Sequence, residues 1–365
     1  MIYLDYAANY PTKKEVLEEL CKVEEEYQGN ANSIHELGKK SKQYYSFANS
    51  EIKRLLSLDD TKEVIYTSSA TESNNLAIKG VIEAYSSFGN KVLVSELEHS
   101  SINGCLGYLK DKGIQVEFIK TCNDGKVDLE DLKSKLTSNV VLVVITLVDG
   151  ELGTIQDYVS ISEIVKGSNA HLLMDVTQGM MKVKIDFSKI ELASFTCHKF
   201  GGLTGTGILI KNKSTILTPL IHGGESSSIY RSGSIPLGLI ASNLKAIEIG
   251  MNNFEKNNKI IEELSSYLIT KLQDIKNIHI NSFENKNIIN LSYKGKKGSY
   301  MVEYLSSKGI CVSQKSACSI KNTPSKILMS VYKNKELALS SFRVSLSEMT
   351  TKEDIDALID ALKEL

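Results

Sequence analysis

The run Val140-Val141-Leu142-Val143-Val144-Ile145-Thr146 is the strongest structural signal in this sequence, with six apolar residues in succession before the threonine. Strands of continuous apolar character are typical of sheets that are covered on both faces. Other short β-branched runs occur on both sides of it, separated by amphipathic helical patterns. The predicted strands are 64–67, 91–95, 116–119, 140–146, 171–175, 192–196 and 207–210, and the predicted helices between them are 72–88, 99–112, 128–137 and 158–168. This alternation predicts an α/β fold with βαβ crossovers and a mostly parallel, seven-stranded sheet.

The pattern changes after Pro236, where a long helical stretch occupies 236–273. Strand-like runs and helical patterns then follow at 287–293, 298–308, 309–313, 341–346 and from 351 onward. We expect a smaller α+β domain formed by residues 260–365 together with an N-terminal segment, 1–15. The remaining residues, 16–259, are expected to form the large α/β domain that carries the ligand site.

Composition and charge argue against several classes of function. The chain has 365 residues with 43 basic and 44 acidic side chains, and its apolar content of 42% is that of an ordinary globular protein. The net charge of −1 argues against a nucleic-acid partner, and no run approaches the roughly eighteen apolar residues of a membrane span. No secretion signal is visible, so we expect a cytoplasmic protein with no membrane partner. Six scattered cysteines without a C-x-x-C pair predict reduced thiols and no zinc or other metal site.

Polar side chains follow several predicted strands at the point where each strand ends, which is the edge at which α/β sheets bind ligands. Thr67-Ser68-Ser69-Ala70-Thr71-Glu72 follows the first of these strands and opens a helix. Hydroxyls and free N–H groups at a helix N-terminus favour an anion such as phosphate. The same residues also fit an ordinary serine cap that Glu72 completes, and both interpretations stay open here.

Three further residues lie at strand ends, namely His99, Asp175 and Lys199. Each has a simpler interpretation alone, since the histidine and the aspartate can cap the next segment and most lysines are solvated surface residues. Together, an anion cup, a ring that can stack, a carboxylate and a strand-end lysine are what pyridoxal 5′-phosphate requires. The lysine would hold this cofactor covalently, the acid would keep its ring nitrogen protonated, and the cup would take its phosphate.

Short motifs extend this pattern nearly from end to end of the chain. They are Tyr3–Ala8, Gly29-Asn30, Thr67–Asn75, Glu98-His99, Asp175–Gln178, His198-Lys199, His222–Gly224, Arg231–Ser234, Ser316–Cys318 and Ser340–Arg343. Each motif is weak alone, but in this order the chain resembles the long-loop cysteine desulfurases, pyridoxal phosphate enzymes of aminotransferase class V and fold type I. The resemblance implies a homodimer that converts L-cysteine to L-alanine. It also implies that an enzyme persulfide passes the sulfur to an acceptor protein for iron–sulfur cluster or thio-cofactor synthesis.

The resemblance implies a role for each cofactor-facing residue. Lys199 holds the cofactor and removes the substrate proton, while His99 stacks on the ring and is a possible proton relay. Asp175 pairs with the ring nitrogen and Gln178 contacts the phenolic oxygen. The phosphate residues are Ala70, Thr71, Thr196, His198 and, from a second subunit, Ser234.

The resemblance also implies which residues bind the substrate and which residue carries its sulfur. Arg343 grips the substrate carboxylate, for which its bidentate fork is well suited, and Asn30 lies nearby. Cys318 lies in the polar stretch 312–324 with lysines on both sides, which favour a thiolate. It is the implied sulfur carrier, with an unremarkable surface cysteine as the alternative. Cys197 is the nearest of the other cysteines to the site, and an accessory effect of it stays open.

One departure from the family pattern bears on the site. Val148-Asp149-Gly150-Glu151 stands where the family has two asparagines before the glutamate, so Gly150 removes an amide expected to contact the cofactor oxygen and the substrate carboxylate. Losing such a donor costs about 1–3 kcal/mol, unless a water molecule replaces it. A selenocysteine lyase, or another class V lyase of this fold, is therefore the nearest alternative function. A non-catalytic sulfur-relay paralogue is a second alternative, against which Lys199 and Asp175 argue.

Overall fold

The computed structural model describes residues 1–224, 228–315 and 323–365. Its strands are β1 (Ile2–Tyr3), β2 (Lys62–Thr67), β3 (Lys91–Ser95), β4 (Gln115–Ile119), β5 (Val140–Thr146), β6 (His171–Asp175), β7 (Leu192–Phe195), β8 (Gly207–Asn212), β9 (Ile278–Ile280), β10 (Ile288–Tyr293), β11 (Ile310–Cys311) and β12 (Ser341–Ser345). Its α-helices are α1 (Lys14–Glu26), α2 (Glu36–Leu55), α3 (Ala70–Ala84), α4 (Ser100–Lys110), α5 (Leu129–Lys135), α6 (Tyr158–Lys166), α7 (Leu237–Asn252), α8 (Phe254–Leu272), α9 (Gly298–Ser307), α10 (Lys326–Tyr332), α11 (Lys335–Ser340) and α12 (Lys352–Lys363). No helix within the described ranges combines the length and the apolar character needed to cross a lipid bilayer.

The main sheet contains the strands predicted for the first two thirds of the chain. Among the described residues it has seven strands in the order β2-β8-β7-β6-β5-β3-β4. The strands β4, β3, β5, β6 and β7 pair in parallel, whereas β8 runs antiparallel to both β2 and β7. The predicted α/β fold with a mostly parallel seven-stranded sheet is confirmed. The register places Thr146 beside Asp175, and Asp175 beside Ser194, so the ends of three central strands lie together.

Successive side chains of β5 enter two different cores. Val143 and Ile145 belong to a core that includes residues of α1, α2 and α7, whereas Leu142 and Val144 belong to a core with residues of α3 and α4. Every residue of β5 is buried. Helices therefore cover both faces of the sheet, which explains why this strand is apolar at each position before Thr146.

A second, antiparallel sheet lies in the C-terminal part of the chain. Its order is β12-β10-β9, and the short strand β1 pairs in parallel with β11. A separate core joins these strands to α8, α9 and α12, and it includes Leu4 from the N-terminal segment. The predicted domain ranges, 1–15 with 260–365 and 16–259, stay a prediction.

The region predicted as one long helical stretch at 236–273 consists of two helices. Asn253 separates α7 from α8 with φ −107° and ψ 6°. Its side-chain amide donates to the Ile249 carbonyl at 2.9 Å, and asparagine side chains that bond to the backbone compete with helix continuation. The sequence did not predict β9, α10 or α11, which have three, seven and six residues and are too short to show a clear period.

Candidate functional site

Lys199 lies just beyond the end of β7. A 3₁₀ turn over Cys197–Lys199 follows this strand, and the side chain of Lys199 is half-buried. Its amine donates hydrogen bonds to the carbonyl oxygens of Ala7 at 3.0 Å and Ala8 at 2.6 Å. The N-terminal segment therefore holds the predicted strand-end lysine at the edge of the main sheet.

The N-terminus of α3 is capped by Ser69, whose hydroxyl accepts a hydrogen bond from the Glu72 backbone N–H at 3.1 Å. The first N–H groups of a helix have no intrahelical acceptor, and this cap takes only that of Glu72. It leaves the N–H groups of Ala70 and Thr71 at the helix start. The serine-cap interpretation is therefore right, and it is compatible with an anion bound by the two remaining donors.

Glu72 carries a negative charge close to these donors, and Arg231 compensates it. The Glu72 carboxylate accepts hydrogen bonds from the Ser68 N–H at 2.7 Å and from Arg231 Nε at 3.0 Å. Burial acts to raise the pKa of Glu72, but these bonds hold it below its ordinary value. An acidic residue in the first turn therefore does not exclude an anion there.

Gly207 permits a close approach of α3 to β8. A Cβ at this position would lie 2.3 Å from the carbonyl carbon of Ser69, so any side chain would collide with the backbone. The residue before it, Thr206, accepts a hydrogen bond from Thr196 Oγ1 at 2.7 Å. This contact brings Thr196, and with it the following turn that contains His198, to the start of α3.

His198 is neutral at pH 7. Its Nδ1 lies 2.9 Å from Thr196 Oγ1. Because the threonine hydroxyl gives its one proton to Thr206, Nδ1 must be the donor in this pair. Burial, together with the charges of Lys199 and Lys182, lowers the pKa of His198 to about 4. A phosphate bound here would supply the opposite charge and raise that pKa.

Asp175 ends β6 and is 4% exposed. Its carboxylate accepts hydrogen bonds from the Asn74 side-chain amide and from the Thr177 backbone N–H, both at 2.9 Å. The second bond is the local capping interaction that the sequence left open. The register pairs Asp175 with Ser194 on β7, the strand that leads to Lys199. The predicted carboxylate and the predicted lysine thus follow adjacent strands.

His99 is the N-cap residue of α4. Its Nδ1 accepts a hydrogen bond from the Ser101 backbone N–H at 3.2 Å, and the Ser101 hydroxyl lies 3.0 Å from the same nitrogen. Desolvation lowers the pKa of His99, with Asp175 acting to raise it and Lys199 to lower it further. The imidazole is therefore within electrostatic range of both the carboxylate and the amine. The capping interpretation of His99 is right, and its Nδ1 lies in a partly buried contact with Ser101.

Gln178 and Lys182 form a hydrogen-bonded chain toward Lys199. The Lys182 amine donates to Gln178 Oε1 at 2.8 Å, and Gln178 Nε2 donates at 2.8 Å to the Ala7 carbonyl that also accepts from Lys199. Burial and the positive charges of Lys199 and Arg343 lower the pKa of Lys182 to about 7. Gln178 is therefore fixed between two lysines and close to the predicted cofactor lysine.

Arg343 lies on β12, and its side chain is 3% exposed. Its Nη1 donates to the Gly150 carbonyl at 2.7 Å and its Nη2 to Asp5 Oδ1 at 2.9 Å. The other Asp5 oxygen accepts from the Ser313 hydroxyl at 2.7 Å. Nε of Arg343 is buried and has no hydrogen-bond partner among the described residues. Because a guanidinium has five N–H groups, donors are left here for a carboxylate.

Replacing Arg343 by alanine should lower the free energy of unfolding by about 3 kcal/mol, because the Asp5 carboxylate would lose its cation in a largely buried place. The Asp5 side chain is 17% exposed. Urea unfolding of both proteins measures this difference. Arg54→Ala is the matched control, since the side chains of the Arg54–Glu51 pair are 65% and 30% exposed and a solvent-exposed ion pair contributes little to stability. Equal losses in the two variants would contradict a stabilising role for the buried pair.

Three predicted site residues are not joined to this group by the described contacts. Asn30 is exposed, and its side chain accepts from the Asn32 N–H at 2.9 Å within its own turn. Ser234 is exposed in the segment that leads to α7. Cys318 lies outside the described residues. The roles of these three residues stay predictions.

The sequence analysis assigned no role to Asn74, Lys182 or Glu98. Glu98 is 4% exposed, and its carboxylate accepts hydrogen bonds from the Ser95 hydroxyl at 2.6 Å and from the Thr146 N–H and hydroxyl at 2.7 Å. Burial raises its pKa to about 8 in spite of these bonds. Glu98 therefore ties the end of β3 to the end of β5. The available signal was a polar residue inside an apolar segment, which needs a partner when buried.

Comparison with known protein families matches residues 2–358 to aminotransferase class V. The chain belongs to the aminotransferase class-V family. Solved structures agree with this assignment. A NifS-like protein is similar with a TM-score of 0.92 and 29% identity, over 100% of this chain and 98% of that one. The NifS-like protein from Rickettsia africae ESF-5 has a TM-score of 0.89 and 28% identity, over 100% and 99% of the two chains.

Proteins that are similar in sequence align with the whole of this class-V chain. The cysteine desulfurase IscS of Buchnera aphidicola subsp. Baizongia pistaciae is 35% identical over 374 residues, which span 100% of this chain and 92% of that protein. The cysteine desulfurase IscS of Dictyoglomus turgidum is 33% identical over 371 residues, which span 100% of this chain and 94% of that protein. The similarity therefore includes both the main sheet and the C-terminal sheet of this class-V protein.

Proposed function

We propose that this chain is a cysteine desulfurase that uses pyridoxal 5′-phosphate, converts L-cysteine to L-alanine and leaves the sulfur as a persulfide on Cys318. The observation that carries the proposal is the arrangement at one edge of the main sheet. There the Lys199 amine, the Asp175 carboxylate and the N-terminus of α3 follow strands of the same sheet. Full-length similarity to proteins named cysteine desulfurase supports it.

The residues present fit the proposed cofactor. The start of α3 offers N–H donors to a phosphate, and the buried Asp175 offers an acceptor to a protonated ring nitrogen. In this proposal Lys199 holds the cofactor, Gln178 contacts its phenolic oxygen, and His99 lies against its ring. The phosphate residues are Ala70, Thr71, Thr196 and His198, with Ser234 from a second subunit. When bound, pyridoxal 5′-phosphate draws electron density from the substrate Cα, so that a proton can leave this carbon.

Lys199 is the group that takes this proton in the proposed reaction. An uncharged lysine amine at the edge of the sheet can act as a general base, and the carbonyls of Ala7 and Ala8 keep it there. Arg343 binds the substrate carboxylate through the N–H groups that Asp5 and Gly150 do not use. Substrate orientation is thereby assigned to Arg343 on β12, and proton removal to Lys199 just after β7.

Sulfur transfer is the second half of the proposed reaction. The Cys318 thiolate attacks the substrate sulfur, so that an S–S bond forms and the substrate Cβ–S bond breaks. The electron pair of the broken bond stays on the substrate Cβ, which takes up a proton and becomes the methyl group of alanine, while Cα regains a proton from Lys199. A thiol reductant then cleaves the persulfide, releasing sulfide and restoring the Cys318 thiol.

We also propose a homodimer in the cytoplasm that passes its sulfur to an acceptor protein. Ser234 is exposed on the single chain and lies between β8 and α7, which supports its use by a neighbouring subunit. A phosphate site completed across the dimer would make cofactor binding depend on assembly. Dimer dissociation and cofactor loss should therefore occur together.

The experiment that tests this function measures alanine and sulfide formed from L-cysteine in the presence of a thiol reductant. Equal amounts of the two products are expected from the purified, cofactor-loaded protein. A yellow, loaded protein that makes neither product would contradict the desulfurase function. A protein that stays colourless after incubation with pyridoxal 5′-phosphate would favour a non-catalytic sulfur relay.

Gly150 favours a second candidate, a lyase of the same family with a preference for selenocysteine. Its carbonyl accepts from Arg343, and a Cβ here would lie 3.7 Å from Gln178 Cγ, which is an ordinary contact distance. The position therefore has room for a side chain, and the site lacks the amide that the family pattern places there. Alanine formation from L-cysteine and from L-selenocysteine separates the two candidates.

Replacing Gly150 by asparagine should raise kcat/KM for L-cysteine about tenfold, the equivalent of one regained hydrogen bond in the site. The variant should fold normally, because Gly150 is not among the positive-φ glycines and its surroundings accept a Cβ. Steady-state kinetics measures the change. Gly150→Ala is the control, since it fills the same space without an amide and should show no gain. A fall in kcat/KM in the asparagine variant alone would indicate a site adapted to another substrate.

A further inference from the structure

Asn74 lies on α3 and is fully buried. Its Nδ2 donates to Asp175 Oδ2 at 2.9 Å and to Ser101 Oγ at 3.0 Å, while its Oδ1 accepts from the Ser194 hydroxyl. Because a carboxylate only accepts hydrogen bonds, the contact with Asp175 determines which end of the amide is the nitrogen. Both amide protons of Asn74 are therefore committed to these two partners.

The direction of the next hydrogen bond follows from this. Ser101 Oγ accepts from Asn74, so its own proton is available for His99 Nδ1, 3.0 Å away. The Ser101 backbone N–H also donates to that nitrogen, at 3.2 Å. With two donors directed at it, Nδ1 is an acceptor, and the proton of the neutral imidazole lies on Nε2.

We propose that Asn74 is a positioning residue for His99. The Asp175 carboxylate fixes the orientation of the Asn74 amide, which donates to the Ser101 hydroxyl, and this hydroxyl in turn donates to His99 Nδ1. The imidazole is thereby kept in its Nε2–H form with Nδ1 as an acceptor. The inference rests on the proposed function in one respect: the Nε2 proton has a use only if the proposed reaction takes place. The tautomer itself is a property of the side chains of Asp175, Asn74, Ser101 and His99, together with the Ser101 backbone N–H.

The same network opposes protonation of His99. A proton on Nδ1 would require the Ser101 hydroxyl to turn away and would face the Ser101 backbone N–H. This effect has the same direction as the desolvation that lowers the pKa of His99. The other charged groups that act on the imidazole are Asp175, which favours protonation, and Lys199, which opposes it. A neutral His99 with one defined proton position is the expected resting form.

The test is ¹⁵N NMR of the full-length chain with labelled histidine, recorded with pyridoxal 5′-phosphate bound and after its removal, and with His99→Gln to assign the signal. The wild type should show a protonated Nε2 and an unprotonated Nδ1. In Asn74→Ala the Nδ1–H form should become detectable, and the His99 pKa should rise by about half a unit or more. In a Ser101→Ala background the same Asn74 substitution should no longer change His99, because the connection is already broken.

Asn74→Asp provides a second variant that is nearly isosteric. The new carboxyl group would lie against the Asp175 carboxylate and share one proton with it, so it has no proton left for Ser101, whose hydroxyl should turn toward it and leave Nδ1–H as the main form. Asn75→Ala is the matched control, since the Asn75 side chain bonds only one turn back to the Thr71 carbonyl at 3.0 Å and its loss should leave the wild-type spectrum. A wild type with the proton on Nδ1, or Asn74 variants that match Asn75→Ala, would overturn the inference. The spectra need no turnover, so failure of the alanine assay would leave this result unaffected.

Discussion

A protein in which Lys199 is replaced by alanine should remain colourless with pyridoxal 5′-phosphate and form alanine from L-cysteine at least about 10³-fold more slowly than the wild type, because both the attachment point and the general base are lost. Absorbance of the dialysed protein and an alanine assay measure the two effects. The bonds of Lys199 to the carbonyls of Ala7 and Ala8 are lost as well. This loss should lower the free energy of unfolding by about 1–2 kcal/mol, which leaves a folded protein to assay.

Lys182 makes this substitution a stringent test. In the wild type the pKa of its amine is lowered to about 7, chiefly by burial. Loss of the Lys199 charge acts to raise that pKa, but burial and the charge of Arg343 still act to lower it, so a second amine of lowered pKa remains close to the site. Gln178 holds that amine at 2.8 Å, and we expect it not to replace Lys199. Lys184→Ala is the control, because Lys184 is exposed two residues further along and its loss should preserve colour and activity. Full activity in Lys199→Ala would refute the assignment of the cofactor lysine.

Replacement of Cys318 by alanine should leave a yellow, cofactor-loaded protein that forms no persulfide and loses both alanine and sulfide production. Three other cysteines of the described residues are poor substitutes. Burial raises the pKa of the Cys105 thiol to about 11 and places that of Cys197 higher still. Burial and the charges of Asp128 and Asp124 also raise the pKa of Cys122. Since the thiolate is the nucleophile, none of these three is favoured as the sulfur carrier.

Exposed cysteines provide the controls for that experiment. Cys21 and Cys122 are both exposed, so Cys21→Ala and Cys122→Ala test whether an accessible thiol alone suffices. Both variants should keep the wild-type yield of alanine and sulfide. Mass spectrometry after incubation with L-cysteine locates the added sulfur atom. A persulfide on Cys21 or Cys122, with normal turnover in Cys318→Ala, would refute the role of Cys318.

The parts of this protein that the sequence predicted share one physical cause. A strand buried on both faces must be apolar at every position, as β5 is, and polar residues just after such strands must lie at the ligand edge. Asp175 and Lys199 were identified in this way, and Ser69 and His99 were interpreted as caps from residue type and position. Their capping bonds are present in the structure. Local chemistry and strand periodicity therefore predicted the fold, and they selected several residues of the candidate site, whose roles stay predictions.

Partners that are distant along the chain were not predictable in this way. Asn74 contacts Asp175 across 101 residues, and Arg343 contacts Asp5 across 338. Neither contact could be predicted from a characteristic spacing in a single sequence, because both contacts form only when complete strands and helices pack together. The break at Asn253 has a local cause, but an asparagine inside a helical pattern is compatible with either one helix or two.

The separation between Asp5 and Arg343 also has a consequence for synthesis on the ribosome. Leu4 packs in the C-terminal core, and the Ala7 N–H donates to Ser345 Oγ at 2.9 Å. Nascent chains emerge N-terminus first and their domains fold as units. The main sheet can therefore form before β12 has left the exit tunnel, while residues 1–8 still lack their contacts with β12. Residues 1–8 can close the surroundings of Lys199 only after β12 has been synthesised, so cofactor capture should follow formation of the main sheet in the maturation of this protein.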